Sequence, residues 1–360
     1  MALRVNPRVG ALSAVDHGGV GYAGLNSVGG VLDFSACCNP YGPPPGVRRA
    51  LRKTDISTYP DHRSSELVQS LAEKLGIHSE NMIAGSGSTE IIRLAALAYL
   101  AAGDTVVIPS PTYGEYELSG RLAGSAVVKY HLREDRDFRL HIDDFISFIS
   151  GYNARAVFLC NPNNPTGQML PLEHVRRLVK LFPDTLIILD EAYMAFTGEG
   201  GDEHHLVDQP NILVIRSMTK DYALAGLRLG YGIACREIID GLQKVRPPWN
   251  VSSPAQQAGT AAAGCSGYIR LCNFKMQKCR GYLVSRLLKL GYKTLPTDTH
   301  FFLMQVGDAA AFKSRLLDRG FLVRDCSSFG LPAYVRISPR GMGDCRKLIK
   351  AISGLSGKSG

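Results

Sequence analysis

Five short apolar runs punctuate the first two thirds of the chain, at 105–109 (TVVIP), 126–130 (AVVKY), 156–160 (AVFLC), 185–190 (TLIILD) and 212–216 (ILVIR). Most are continuously apolar rather than alternating, the pattern of strands buried on both faces of a parallel sheet. Between them, apolar positions repeat at helical spacing over 88–102, 113–122, 141–149 and 172–182. Alternating strands and helices predict an α/β doubly wound, mostly parallel sheet, whose ligands sit beyond the carboxyl ends of the strands.

The pattern changes after residue 250. One long helical stretch is expected over 253–290, then a strand at 300–305, a helix at 308–319 capped by Asp308, and a strand-like run at 321–338. This mixed order predicts a smaller α+β unit. The segment 39–46 (NPYGPPPG) is too rich in Pro and Gly for a core helix and is expected to cross between domains.

Composition narrows the picture. With 45% hydrophobic and 20% charged residues, the 360-residue chain is globular and long enough for about two domains. The longest apolar run, 94–102, has about half the length a membrane span needs. The first residues contain no apolar h-region, so no secretory leader is expected. Nine cysteines, odd in number and loosely spaced, predict reduced thiols and a cytoplasmic location. The net charge of +9 is scattered along the sequence, which speaks against nucleic-acid or membrane partners and for anionic small molecules.

Candidate chemistry gathers at predicted strand ends. Lys220, in 216–230 (RSMTKDYALAGLRLG), reads either as a surface lysine or as an amine that forms a Schiff base with an aldehyde cofactor. Ser217, Thr219 and Arg228 around it suit a phosphate. Asp190 ends the run TLIILD, where a carboxylate must cap a helix or meet a cation such as a protonated pyridine. Tyr193 follows three residues later. Asn164 lies in the turn 161–167 (NPNNPTG) and offers an amide. Gly87, Ser88 and Thr89 belong to a glycine-rich turn opening a helix, a phosphate cradle or a bare turn. Tyr113 either stacks on a flat ring or packs in the core.

Together these motifs describe a pyridoxal 5′-phosphate site, and in order and spacing they resemble the aspartate-aminotransferase-like fold type I enzymes. The resemblance runs from His17 to about Ile352. It implies a large cofactor-binding domain at 45–252 and a small domain formed by 1–44 and 253–360. It further implies Lys220 as the Schiff-base lysine and Asp190 as partner of the pyridine nitrogen. Asn164 and Tyr193 would bind the ring oxygen, Tyr113 would stack on the ring, and Gly87, Ser88, Thr89, Ser217 and Arg228 would hold the phosphate. Tyr59 would reach the neighbouring subunit's cofactor phosphate, which implies a homodimer with shared sites.

Arg336 resembles the family's substrate-anion arginine, and Arg324 an additional arginine of the subgroup that handles phosphorylated substrates. That subgroup contains threonine-phosphate decarboxylase and histidinol-phosphate aminotransferase. Three features favour the decarboxylase: His17-Gly18-Gly19, the segment 32–42 (LDFSACCNPYG) with Cys37 at the usual asparagine, and the segment 247–256 containing Trp249. The expected reaction is therefore decarboxylation of O-phospho-L-threonine to (R)-1-amino-2-propanol O-2-phosphate, a cobalamin precursor, with His17, Asn164, Arg324 and Arg336 binding a phosphorylated amino acid. The alternative is transfer of the amino group of histidinol phosphate. Cys265, Cys272 and Cys279, seven residues apart, are expected to pack along one helix face. His204 and His205 are expected to be solvated, and no metal site is expected. His300 and Cys326 are expected near the substrate region.

Overall fold

The computed structural model describes residues 5–10, 12, 14–19, 30–198 and 206–356. Its main element is a seven-stranded sheet formed by β1 (Met82–Gly85), β2 (Thr105–Ser110), β3 (Ala126–His131), β4 (Ala154–Cys160), β5 (Leu186–Asp190), β6 (Ile212–Ser217) and β7 (Gly230–Ala234). The strand order is β1-β7-β6-β5-β4-β2-β3, and only β7 runs antiparallel to its neighbours. Five of these strands coincide with the apolar runs. β1 and β7 were not expected, because β1 is short and β7 (GYGIA) has too few β-branched residues to read as a strand.

Burial on both faces is the reason the central strands are continuously apolar. Val157, Leu159 and Ile187 meet Val175 and Leu178 on one side of the sheet. Ala156, Phe158 and Ile188 meet Ile91 and Tyr116 on the other. Each fully buried Val, Leu, Ile or Phe contributes about 1.5–3 kcal/mol relative to exposure, so the sheet is a rigid base for the loops at its carboxyl edge.

Helices α1 (Ser88–Tyr99) and α2 (Glu115–Ala123) flank this sheet. The expected long helix 253–290 is two helices, α3 (Ser253–Ala263) and α4 (Ser266–Lys289), separated at Gly264 and Cys265. Gly264, a poor helix former, falls at the break. Pro45, expected in a connection, opens the helix Pro45–Lys53, because proline at the first helical position has no lost hydrogen bond.

A second sheet holds β8 (Phe302–Gln305), β9 (Arg324–Asp325) and β10 (Tyr334–Ile337) in the order β9-β10-β8, all antiparallel. The expected run 321–338 is thus interrupted by a turn at Ser327–Phe329 and Gly330. A parallel pair, Leu32–Asp33 with Phe321–Leu322, ties the amino-terminal part to this region. Asp308 caps the helix Ala309–Leu317 as expected, accepting from the Ala311 N–H. One face of the small sheet, through Phe302, Met304, Val335 and Ile337, packs against Leu283 and Leu287 of α4 and Leu348 and Ile352 of the last helix, α5 (Met342–Ser356). The register places Arg336 opposite Leu303 and Arg324, on the other face.

Candidate active site

A cavity of about 550 Å³ lies where the carboxyl edge of the large sheet meets the small one. The loop after each of four strands supplies it: Tyr113 after β2, Asn164 after β4, Tyr193 after β5, and Thr219 and Lys220 after β6. Asp190, the last residue of β5, is part of the same wall. Lys220 is fixed through its backbone, whose carbonyl accepts from the Asn39 N–H at 2.9 Å.

One end of the cavity suits a phosphate. Gly87, at φ +83°, caps α1, and a Cβ there would come within 2.8 Å of Arg228 Nη2. A Cβ on Gly230 would lie 2.5 Å from the Ser88 nitrogen. Glycines therefore let the guanidinium and the first amides of α1 converge, the geometry of an anion cradle. Hydroxyls complete it. Ser217 Oγ and Thr219 Oγ1 are 2.6 Å apart, and Thr89 Oγ1 lies 3.2 Å from the Tyr113 hydroxyl. Burial pushes the Tyr113 phenol up to about 12, so it stays protonated.

Asp190 is buried at the cavity floor. The Tyr116 hydroxyl donates to its Oδ2 at 2.8 Å and the Ala192 N–H donates to its Oδ1 at 3.0 Å. Burial raises its pKa despite these bonds and the nearby Lys220 charge. A cationic group against Asp190 would offset that burial.

The opposite end is cationic. Arg336 donates to the Ser35 carbonyl at 2.9 Å and to Asn164 Oδ1. Arg324 donates to the carbonyls of His17 (3.2 Å) and Asp16 (2.9 Å) and to Ser328 Oγ at 2.7 Å. Burial and the Arg336 charge hold Arg324 below the usual guanidinium range. Two buried guanidinium groups in register on adjacent strands favour an anion between or beside them. His17 Nε2 lies 3.7 Å from Glu115, which also binds Arg93 at 3.0 Å. Burial lowers the His17 pKa, and the charges of Arg324 and Lys220 lower it further while Glu115 opposes them. Cys37 lines this end, its thiol pushed up by burial.

The aminotransferase class I and II family model matches residues 30–352. The chain belongs to this family. It is 34% identical over 316 residues to a histidinol-phosphate aminotransferase of Moorella thermoacetica, covering 86% of this chain and 81% of that one. Its fold matches the histidinol-phosphate aminotransferase of Clostridium acetobutylicum (TM-score 0.84, 27% identity, 91% and 99% covered). It also matches the L-threonine-O-3-phosphate decarboxylase of Porphyromonas gingivalis (TM-score 0.82, 27% identity, 91% and 100% covered).

These relatives overturn the expected phosphothreonine decarboxylation. Curated relatives such as the Moorella protein, and further ones from Thermoanaerobacter pseudethanolicus and Symbiobacterium thermophilum, are named aminotransferases. The residues that suggested decarboxylation do not decide the chemistry. Trp249 is half-exposed, stacks on Tyr59 and does not line the cavity. His17 and Cys37 sit at the anion-binding end, where either substrate would present charge.

As a member of this family the aminotransferase is pyridoxal phosphate-dependent, and its residues fit the group. Asp190 is a buried carboxylate without a cationic hydrogen-bond partner among the described residues, the phosphate end is shaped by glycines, and Lys220 lines the same cavity. Lys220, Asp190, Tyr193, Ser88, Thr89, Tyr113, Asn164, Thr219, Arg228, His17, Arg324 and Arg336 all line one cavity. Gly87 and Ser217 stand just behind its wall. Tyr59 is not brought to it; it is 78% exposed on the surface.

Tyr116 was missed in the sequence because an aromatic three residues after Tyr113 on an amphipathic helix reads as core packing, and its ring does stack on Phe158. Glu115 was missed as an ordinary helix-start acid. Cys272 and Cys279 pack inside α4, but Cys265 precedes the helix and is only half-buried. Cys326 is buried between the arginine strands, and His300 is buried behind Cys37 rather than in the cavity wall. All nine cysteines are free. His204 and His205 lie outside the described residues. No cluster of metal-ligating side chains and no helix long and apolar enough to cross a membrane occurs among the described residues.

Proposed function

We propose that this enzyme transfers the amino group of a phosphorylated amine, histidinol phosphate, to a 2-oxo acid. The observation that carries the reading is the pair Arg324 and Arg336, buried at the far end of the cavity that holds Lys220. The names of its relatives supply the substrate. A transaminase must accept two substrates in turn, and both here are anionic. The phosphate of the amine and the carboxylates of the oxo acid would use the same guanidinium groups by bidentate hydrogen bonds.

Pyridoxal phosphate, when bound, is an electron sink for the substrate carbon that carries nitrogen. Ser88, Thr89, Ser217, Thr219 and Arg228 would hold its phosphate, Asp190 its ring nitrogen, and Asn164 and Tyr193 its ring oxygen. Lys220 Nζ would take the proton from the amine-bearing carbon and return it elsewhere, the general acid–base role of a transaminase. Arg336, anchored by Ser35 and Asn164, fixes the angle at which the substrate enters. The stretch from Asp16 to Gly18, held by Arg324, narrows the mouth and excludes water.

The reading extends to a homodimer. Tyr59 and Trp249 form an exposed aromatic stack, 4.4 Å between ring centres, outside the chain's own cavity. Tyr59 would serve the cofactor phosphate of a second copy.

Steady-state kinetics test the reaction. Glutamate should form only when histidinol phosphate and 2-oxoglutarate are both supplied, with parallel double-reciprocal lines. Turnover of either compound alone would refute the proposal.

A further inference from the structure

Two basic sequence segments are set side by side by the fold. Helix α4 contains Arg270, Lys275, Lys278, Arg280, Arg286 and Lys289 and no acid. Helix α5 adds Arg346, Lys347 and Lys350 against Asp344. Nine cations less one acid leave eight of the chain's nine net positive charges on two helices. The helices pack together over one face of the small sheet, and Arg336 lies on the other. None of these nine cations lines the active-site cavity, so the substrate and the cofactor do not account for them.

All but Arg280 are exposed. Among the described residues only Lys347 meets an acid, Asp344 at 3.6 Å. Apolar side chains are set among them: Leu271, Phe274 and Leu288 are 50%, 58% and 55% exposed. With Lys278 these positions fall within an arc of about 100° on α4, at 3.6 residues per turn. Lys278 Nζ lies 4.4 Å from the Phe274 ring centre.

We propose that the α4–α5 face is a peripheral docking surface for an anionic phospholipid membrane. Cations spread over two neighbouring helices match a plane of negative headgroups, and isolated Leu and Phe side chains among them match the boundary with the acyl chains. Nucleic acid would use the cations but not Leu271 and Leu288. The core of a protein interface is depleted in lysine, and a second copy meeting this face with its own would set like charges together.

The test is sedimentation of the cofactor-loaded enzyme with vesicles of phosphatidylcholine alone, or of phosphatidylcholine and phosphatidylglycerol in equal parts. Partitioning onto the anionic vesicles should exceed that onto the neutral ones by at least about 10-fold and fall with added salt. Reversing Lys275, Lys278, Lys347 and Lys350 to Glu should remove at least about 10-fold of that binding. Phe274→Ser should lower it several-fold while all charges remain. The cofactor's absorbance reports that each variant is folded, without reference to the reaction catalysed. Equal binding to both vesicles, or no loss in the charge-reversed variant, would overturn the proposal. So would binding to single-stranded RNA or duplex DNA that exceeds vesicle binding and ignores Phe274→Ser.

Discussion

The Tyr116 hydroxyl donates a 2.8 Å hydrogen bond to Asp190 Oδ2 inside the protein. Tyr116 is fully buried, stacked on Phe158 at 5.3 Å and edge-on to Tyr113 at 5.5 Å. The aspartate that would face the cofactor ring is thus aimed by a tyrosine of α2, the helix that follows β2, two strands away in the sheet. Removing the phenol should leave the fold intact and the carboxylate less well held.

Tyr116→Phe should therefore weaken cofactor binding on the order of 10-fold, the scale of one hydrogen bond to a charged acceptor. The bond lowers the raised Asp190 pKa, so its loss should raise that pKa further. The pH at which cofactor affinity falls on acidification should move upward. Equilibrium titration of the apo-variant with pyridoxal phosphate across pH measures both effects.

Arg324 and Arg336 should differ in what they lose. Arg336 is anchored to Ser35 and Asn164, so Arg336→Lys abolishes a fixed fork and should raise KM for both substrates by about 100-fold. Arg324 also holds the Asp16 and His17 carbonyls, so Arg324→Gln should loosen the mouth as well as weaken phosphate binding. A larger KM effect for the phosphorylated amine than for the oxo acid is expected there. Initial-rate measurements with each substrate varied separate the two.

His300 should make the protein acid-sensitive. Burial, with the Arg336 charge, lowers its pKa from 6.5 to about 3, so the folded state keeps it neutral. As pH falls below 6.5 the unfolded chain takes up a proton that the folded chain refuses until about pH 3. Stability is full above that window and is lost progressively through it, by on the order of a few kcal/mol. His300→Asn should flatten this dependence. Urea midpoints at about pH 7 and about pH 5, on either side of the unperturbed histidine pKa, show the difference.

Much of this site was legible because polar residues at the ends of apolar strands have few structural excuses. Asp190 after TLIIL, Asn164 in its proline-framed turn and Lys220 after ILVIRS all fall where the parallel sheet needs its ligand. Tyr116 was not legible, since a buried aromatic serves packing and hydrogen bonding at once. Strand β7 was hidden by its glycines, which let the strand pass close to Ser88 and Ile91. The break between α3 and α4 was hidden because apolar periodicity continues across Gly264. Substrate choice was misread from Trp249, which lies outside the cavity, and from the HGG segment, whose His17 lies at the anion-binding end.

Mixed dimers test Tyr59. Tyr59→Phe and Lys220→Ala homodimers should each be impaired, the second without activity. Hybrids carrying one copy of each should hold one site with an intact Lys220 whose partner donates an intact Tyr59. That site should regain wild-type cofactor affinity. Mass spectrometry of the hybrids with cofactor titration reports it, and cofactor affinity no better than in Tyr59→Phe would place Tyr59 outside the shared site.

The most direct measurement follows the nitrogen. Histidinol phosphate labelled with 15N at its amine is incubated with the enzyme, pyridoxal phosphate and 2-oxoglutarate, beside a parallel incubation with O-phospho-L-threonine. The account predicts labelled glutamate in the first and no carbon dioxide in the second. Carbon dioxide from phosphothreonine without any oxo acid, and no label in glutamate, would contradict it.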